Sequence, residues 1–100
     1  MASSKYYLEF ILEQCSGLSS RAMMGEYVLY YGGKVVGGIY DNRLLVKPTP
    51  SAIALIPNAP RVLPYEKAKA MLLIEDVEDG VFLNKLFETI YKELPNPKKK

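Results

Sequence analysis

The chain has 100 residues, 49% of them hydrophobic, and a net charge of +2. No apolar run approaches the roughly 20 residues that cross a bilayer, which excludes a membrane-spanning protein. Three cations are the terminal Lys98–Lys100, so the rest of the chain is close to neutral and lacks the basic footprint of many nucleic-acid-binding proteins. We expect one domain over residues 1–97, followed by a basic tail at 98–100.

The first residues predict a helix rather than a secretion signal, because Glu9 and Glu13 interrupt their apolar side chains. Ser3 or Ser4 can cap this helix, which we expect from about Lys5 to Cys15. Its apolar stripe has helical spacing and consists of Leu8, Ile11, Leu12 and Cys15. The polar residues 16–20 then predict a loop. A lone cysteine cannot form an internal disulfide, which favours the cytoplasm.

Residues 21–47 predict a β-meander of three apolar and tyrosine-rich strands. The turn signals between the strands are Gly32-Gly33 and Asp41-Asn42, residue types that tolerate the left-handed backbone of a two-residue hairpin turn. Two-residue turns fix the register. The predicted cross-strand pairs are Tyr30 with Val35, Val28 with Gly37, and Ile39 with Leu44.

Strand alternation divides the meander into two faces, unless a bulge at Gly37-Gly38 exchanges part of them. The predicted core face has no charge and carries Val28, Tyr30, Val35, Gly37, Ile39, Leu44 and Val46. The other face is amphipathic and carries Tyr27, Leu29, Tyr31, Lys34, Val36, Gly38, Tyr40, Arg43, Leu45 and Lys47.

The rest of the chain predicts two helices around a further strand. A short helix is expected over Ala52–Leu55 between prolines. A strand is expected over Ala68–Ile74, and a buried helix end is the alternative that the same apolar run allows. Asp76, Glu78 and Asp79 suit the positive amino terminus of a last helix that Pro95 ends. The apolar stripe of this helix consists of Leu83, Leu86, Phe87, Ile90 and Leu94. The fold class is α+β: an antiparallel sheet, made of the meander and at least one further strand, with the two long helices packed on one face.

The meander resembles the amino-terminal domain of the TfoX/Sxy competence-regulator family. The family pattern is Arg-x-Met-x-Gly-x-Tyr-x-aliphatic-Tyr, a Gly-Lys turn, and Asp-x-Arg-Leu-x-aliphatic-Lys. The matching residues are Arg21, Met23, Gly25, Tyr27, Leu29, Tyr30, Gly33, Lys34, Asp41, Arg43, Leu44, Val46 and Lys47. Met24 stands where the family usually has an aromatic residue. The resemblance implies a small domain with a layout similar to that of type III secretion chaperones, a link to competence regulation, and no enzymatic activity.

The chain offers little for catalysis or for metal and cofactor binding. It has no histidine, so a zinc site and a cysteine–histidine pair are both excluded. Asp76, Glu78 and Asp79 lack the spacing of a calcium loop, and the Gly-Gly pairs match no phosphate-binding motif. Cys15 closes a helical stripe, which favours a buried and unreactive thiol. We predict no catalytic residue, no cofactor and no metal.

The amphipathic face is the candidate binding surface, since tyrosine and arginine are enriched at binding hot spots. Its predicted partner-binding residues surround a depression at Gly38 and are Tyr27, Tyr31, Lys34, Tyr40, Arg43 and Lys47. Ordinary cross-strand pairing, with lysine stems over tyrosine rings, is the simpler interpretation of the same residues.

Three partners are compatible with this surface. A protein partner is the main prediction, and a symmetric homodimer through this face or an edge strand is a variant of it. The alternative is a single-stranded nucleic acid with its bases stacked on the tyrosines. The near-neutral chain and the missing RNA-recognition signature count against nucleic acid, and no membrane partner is expected.

Overall fold

A computed structural model describes residues 4–23, 25–64, 66–75 and 77–94. These residues form three helices and six strands. The elements are α1 (Lys5–Gln14), β1 (Leu18–Met23), β2 (Glu26–Tyr31), β3 (Lys34–Tyr40), β4 (Arg43–Val46), α2 (Pro50–Leu55), β5 (Arg61–Val62), β6 (Met71–Ile74) and α3 (Gly80–Glu93). The predicted α+β class is confirmed. The predicted basic tail at 98–100, the Met24 position and Asp76 lie outside the described residues.

The strands form one antiparallel sheet in the order β1-β2-β3-β4-β6-β5. Two of them are missing from the sequence prediction. Residues 18–20, expected in a loop, belong to β1, which pairs with β2 along its whole length. The two-residue strand β5 pairs with the start of β6. Both missed strands are the outermost strands of the sheet, where little burial is required and the apolar alternation is weak.

Both hairpin turns form as predicted. Gly32 and Gly33 have φ values of 60° and 85°, and Asp41 and Asn42 have φ values of 54° and 57°. Consecutive positive φ values define the type I′ turn, whose twist matches that of the flanking strands. The expected pairs Tyr30–Val35 and Ile39–Leu44 are confirmed.

The third expected pair is wrong because β3 contains a bulge at Val36. Tyr30 pairs with Val35, but Leu29 already pairs with Gly37, which leaves Val36 as an extra residue. Val28 therefore lies opposite Gly38. One extra residue inverts the alternation for everything beyond it. The predicted faces consequently hold for β4 and the end of β3, and are exchanged for β2 and the start of β3.

A single apolar core lies between the sheet and the helices. All three helices contribute to it, so they lie on the same face of the sheet, which we call the helix face; the opposite side is the open face. Leu29, Val36 and Ile39 are fully buried on the helix face. The other members of the core are Leu8, Ile11, Cys15, Leu18, Leu44, Val46, Ala52, Leu72, Ile74, Leu83, Leu86, Phe87 and Ile90.

Side-chain caps define the helix ends. The Ser4 hydroxyl accepts a hydrogen bond from the Tyr6 amide at 3.1 Å, and the Asp79 carboxylate accepts one from the Phe82 amide at 3.1 Å. Thr49 caps α2 in the same way, with Pro50 at the first helical position. These contacts satisfy amide groups that a helix cannot satisfy internally.

The carboxylate of Glu93 connects α3 to the start of α2. It accepts hydrogen bonds from the Ser51 hydroxyl at 2.7 Å and the Ser51 amide at 2.9 Å. These two hydrogen bonds lower the pKa of Glu93 below its ordinary value of 4.5, and the bond from the hydroxyl has the larger effect. The Thr49 hydroxyl adds to the shift. A depressed folded-state pKa means that protonation of Glu93 weakens the folded state.

We expect Glu93→Gln to lower stability at neutral pH and to have no effect in acid. The contribution of the carboxylate is complete above pH 4.5 and disappears as the pH falls through the lower folded-state pKa. Urea unfolding at a series of pH values measures the difference between the two proteins. Glu13→Gln, an exposed substitution on α1, is the control. The difference in unfolding free energy should shrink as the pH falls. If it stays constant down to about pH 2 to 3, on the order of two units below an ordinary carboxyl pKa, protonation of Glu93 does not weaken the folded state.

Candidate functional site

The six predicted partner-binding residues do not share one surface. The bulge places Tyr27, Tyr31 and Lys34 on the helix face, where both tyrosines pack against the apolar core. Tyr40, Arg43 and Lys47 lie on the open face, because they alternate with the buried Ile39, Leu44 and Val46. The prediction of one continuous tyrosine and cation surface is wrong, and only its second half remains together.

Tyr31 and Lys34 belong to the contact between the β2–β3 hairpin and α3. The Tyr31 ring stacks on Phe87 at 6.3 Å between ring centroids and meets the edge of Tyr91 at 5.8 Å. The Lys34 ammonium group donates to the Tyr91 carbonyl at 3.2 Å and to the Leu94 carbonyl at 2.9 Å. It also lies 4.2 Å from the centre of the Tyr91 ring. A cation at the carboxyl end of a helix stabilises its unpaired carbonyls, so the role of Lys34 is structural.

The depression expected at Gly38 is filled by the protein itself. A Cβ atom at Gly38 would lie 2.9 Å from Cζ of Tyr40, so the Tyr40 ring folds back over the glycine. Tyr40 is only 8% exposed as a result. A tyrosine over a strand glycine covers backbone that the glycine leaves bare. Arg43 adds to this arrangement, because its Nε donates to the Tyr40 carbonyl at 3.2 Å.

The open face carries partly exposed apolar residues that the sequence prediction assigned to the core. Val28, Tyr30 and Val35 alternate with the buried residues of β2 and β3, and each is partly exposed. Met23, which is 43% exposed, extends this group along β1. Arg21 pairs with Val28 and is exposed beside it. We call these five residues the open-face patch. A bulge signal in the first half of β3 would have identified them.

A groove of about 440 Å³ lies on the same face at the other end of the sheet. The segment that follows β4, the start of β6 and the connection between β5 and β6 form its walls. Tyr40 and Lys47, both predicted from the sequence, are among its lining residues. The full lining is Tyr40, Lys47, Pro48, Thr49, Pro64, Ala68, Lys69, Ala70 and Met71.

Reactive chemistry is sparse in the described part of the chain. Those residues contain no group of three or more histidine, cysteine or carboxylate side chains that could hold a metal ion. None of their helices is both long enough and apolar enough to span a membrane. Cys15 is 1% exposed, which confirms its predicted burial.

Cys15 should resist alkylation in the folded protein. Burial raises its pKa from the ordinary value of 9.0 to about 11, which reduces the reactive thiolate about 100-fold at neutral pH. We expect modification by iodoacetamide to be at least about 100-fold slower in buffer than in urea, as measured by mass spectrometry. Because the urea sample supplies the reference rate for the same thiol, comparable rates in the two samples would show that Cys15 is accessible.

Comparison with known proteins gives one informative relative. No family model matches the chain, and no solved structure matches it significantly. The chain is similar to the protein of Spirochaeta aurantia named "Uncharacterized 12.7 kDa protein in trpE 5'region", with 36% identity over 102 aligned positions. The alignment covers 98% of this chain and 89% of the relative. Similarity of this extent over nearly the whole of both proteins shows that the chain belongs to the family of the Spirochaeta aurantia protein.

Proposed function

We propose that this chain is a non-enzymatic, cytoplasmic protein-interaction domain, similar to the amino-terminal domain of the TfoX/Sxy competence regulators, and that the open face binds its partner. The observation that carries this proposal is the one-sided covering of the sheet. The core residues of all three helices lie on the helix face, while none of the helices in the described part of the chain covers the open-face patch.

The composition of the patch favours a protein partner. Met23, Val28 and Val35 supply apolar area, and Tyr30 and Arg21 are the residue types most often found at binding hot spots. Exposed apolar residues that cluster on one face are more informative than scattered ones, because contiguous apolar patches on folded proteins often bind other proteins. The neighbouring cations allow a partner to be oriented as well as held.

Several residues of the motif on which the resemblance to competence regulators depends support the proposal of a shared fold. Gly25, Gly33 and Asp41 all have positive φ values at hairpin turns. Lys34 stabilises the end of α3, and Leu44 lies in the core. Much of the motif thus describes the meander itself. This supports a shared architecture, and it leaves Arg21, Arg43 and Lys47 as motif cations on the open face.

A peptide strand could also join the sheet at β1. This strand pairs only with β2 among the described residues, and residues 21–23 are exposed. An exposed edge strand can accept a strand of another protein or of a second copy. We regard this edge as an extension of the proposed interface, since Arg21 and Met23 belong to both.

The tyrosines give no comparable support to nucleic-acid binding. That alternative requires neighbouring exposed rings on which bases can stack. Tyr27 and Tyr31 pack against the core on the helix face, and Tyr40 is nearly buried, so all three predicted rings serve the fold.

Affinity capture with matched variants tests the proposal. We expect Arg21→Glu/Tyr30→Ala to lose a protein that the wild-type domain retains from a lysate of its source cells. Glu9→Lys/Phe10→Ala is the control, since it reverses one charge and truncates one exposed aromatic residue on α1. The control should retain the same protein. Circular dichroism confirms folding of all three proteins.

Two results would contradict the proposal. One is a captured protein that binds both variants as well as the wild type. The other is the absence of any protein above the level retained by a tag alone. Native mass spectrometry of the same samples identifies self-association, because a second copy then appears as the retained partner.

A further inference from the structure

The groove bounded by Lys47, Lys69 and Met71 has a composition suited to a ligand that is both acidic and apolar. We propose that it binds an acidic, aliphatic segment of the partner protein, with a leucine-like side chain in the groove and carboxylates at the two lysines. This inference deepens the proposed function and depends on it, since it assigns a particular segment of the partner to a particular part of the open face.

The charges of the groove are all positive. Lys47 and Lys69 are its only ionisable lining residues besides the Tyr40 hydroxyl, and no carboxylate lines it among the described residues. Neither ammonium group has an ion-pair partner within the described part of the chain, where Lys92 pairs with Glu88. Two cations that face one groove without a counter-charge favour an anionic ligand.

The walls between these cations are apolar. Pro64, Ala68, Ala70 and Met71 contribute small or flexible side chains, and the Tyr40 ring closes one side. A volume of about 440 Å³ accommodates an aliphatic side chain together with its backbone, and it falls in the range of about 300 to 1,000 Å³ that is usual for binding pockets. A methionine in the wall adapts to the shape of the side chain that enters.

The backbone holds this groove in a defined shape. Pro48 and Pro64 each fix one backbone dihedral in its wall. Lys67, in the connection that carries Ala68 and Lys69, has a φ of 70°. This left-handed conformation is costly for a lysine and persists only where the surrounding structure imposes it. A groove whose shape is fixed before binding loses less entropy when it takes a ligand.

The position of the groove favours a protein segment as the ligand. Lys47 and Tyr40 lie on the open face with Arg43, and the open-face patch lies farther along the same face. A segment that leaves the groove across the Tyr40 ring and Gly38 therefore reaches Val28 of the open-face patch, which lies opposite Gly38. The same partner can occupy the groove and the patch together.

Titration with a defined peptide tests this assignment. The probe is Ac-Asp-Glu-Leu-Leu-Asp-Glu-NH2, and the matched control is Ac-Asn-Gln-Leu-Leu-Asn-Gln-NH2, observed by backbone-amide NMR at low salt. We expect saturable shifts at Lys69, Ala70 and Met71 with the acidic peptide, and about 10-fold weaker binding of the amide peptide. Salt should weaken the acidic peptide selectively, because it screens the charges.

Charge reversal supplies the second arm. Lys47→Glu/Lys69→Glu should weaken the acidic peptide at least about 10-fold. Lys85→Glu/Lys92→Glu changes the net charge equally on exposed positions of α3 and should leave the affinity within about 2-fold of the wild type. If the first variant fails to fold by circular dichroism, the glutamine pair at the same positions replaces it.

Four outcomes would overturn the proposal. The first is the absence of amide shifts in the groove at about 5 mM peptide, which exceeds a millimolar dissociation constant. The second is equal affinity for the two peptides, and the third is an equal loss of affinity in the two charge variants. The fourth is displacement of the peptide by a second copy of the domain or by a random single-stranded oligonucleotide of equal charge. The Arg21→Glu/Tyr30→Ala variant can lose the captured partner while the wild-type domain shows no peptide binding. That result would support the proposed function and show that the groove is not part of the interface.

Discussion

Gly37→Ala should destabilise the fold by about 3 kcal/mol, the upper end of the usual cost of overpacking. A Cβ atom at Gly37 would overlap the carbonyl oxygen of Leu45 and lie 2.9 Å from Cα of Val46. Both atoms are backbone of the neighbouring strand, so the contact can be relieved only if β3 and β4 separate. The two strands pair directly at this point, where Gly37 lies opposite Val46.

Thermal unfolding measures the effect. For a domain of about 100 residues, 1 kcal/mol corresponds to about 4 to 8 °C in Tm, so Gly37→Ala should lower Tm by at least about 12 °C. Gly80→Ala is the control, because the atom nearest to its added Cβ, at 3.0 Å, is the flexible Gln14 Oε1. We expect the control to stay within about 0.5 kcal/mol of the wild type. Equal melting temperatures for the two variants would show that β3 and β4 can move apart without cost.

Phe87→Ala should cost about 3 to 5 kcal/mol, as truncation of a buried aromatic residue usually does. Phe87 is the largest fully buried side chain, at the centre of α3, and the Tyr31 ring stacks on it. Truncation leaves a cavity between α3 and the β2–β3 hairpin and removes the apolar surface on which Tyr31 lies. Domains of this size have only about 5 to 15 kcal/mol of total stability, so the loss is a large part of it.

Urea unfolding with Phe87→Leu as an intermediate step resolves this effect even where the alanine variant is largely unfolded. The order of stability should be wild type, then leucine, then alanine. Val81→Ala on the same helix is the control, since Val81 is 83% exposed and its truncation should change stability by less than about 0.5 kcal/mol. A similar loss in Phe87→Ala and Val81→Ala would show that α3 does not depend on its buried face.

Local signals in the sequence predicted the elements that require a particular residue type. The serine cap of α1, the Gly32-Gly33 turn and the Asp41-Asn42 turn each depend on one or two residues and appear in the structure as expected. The apolar stripe of α3 likewise places Leu83, Leu86, Phe87 and Ile90 in the core. These predictions succeeded because each depends on sequence neighbours alone.

The candidate site was harder to predict, because it depends on the alternation of side chains between the two faces of the sheet over many residues. The bulge at Val36 inverted the faces of β2, although Tyr30 was paired correctly with Val35. A bulge has no strong sequence signal beyond nearby glycines, and the two glycines here follow it by one residue. The groove could not be predicted from the sequence for a related reason. It brings Lys47 close to Lys69, which lies in the connection between β5 and β6, and no local sequence pattern determines the path of that connection.

The link between Lys34 and the end of α3 has a consequence for how the protein is made. Lys34 bonds to carbonyls 57 and 60 residues later in the chain, and Phe87 covers the same hairpin. Once Ile74 has been synthesised, the chain contains the residues of all six strands, but the apolar helix face still lacks α3. The domain therefore completes its folding only after α3 emerges, and the nascent chain passes through a stage in which chaperones have a hydrophobic sheet to hold.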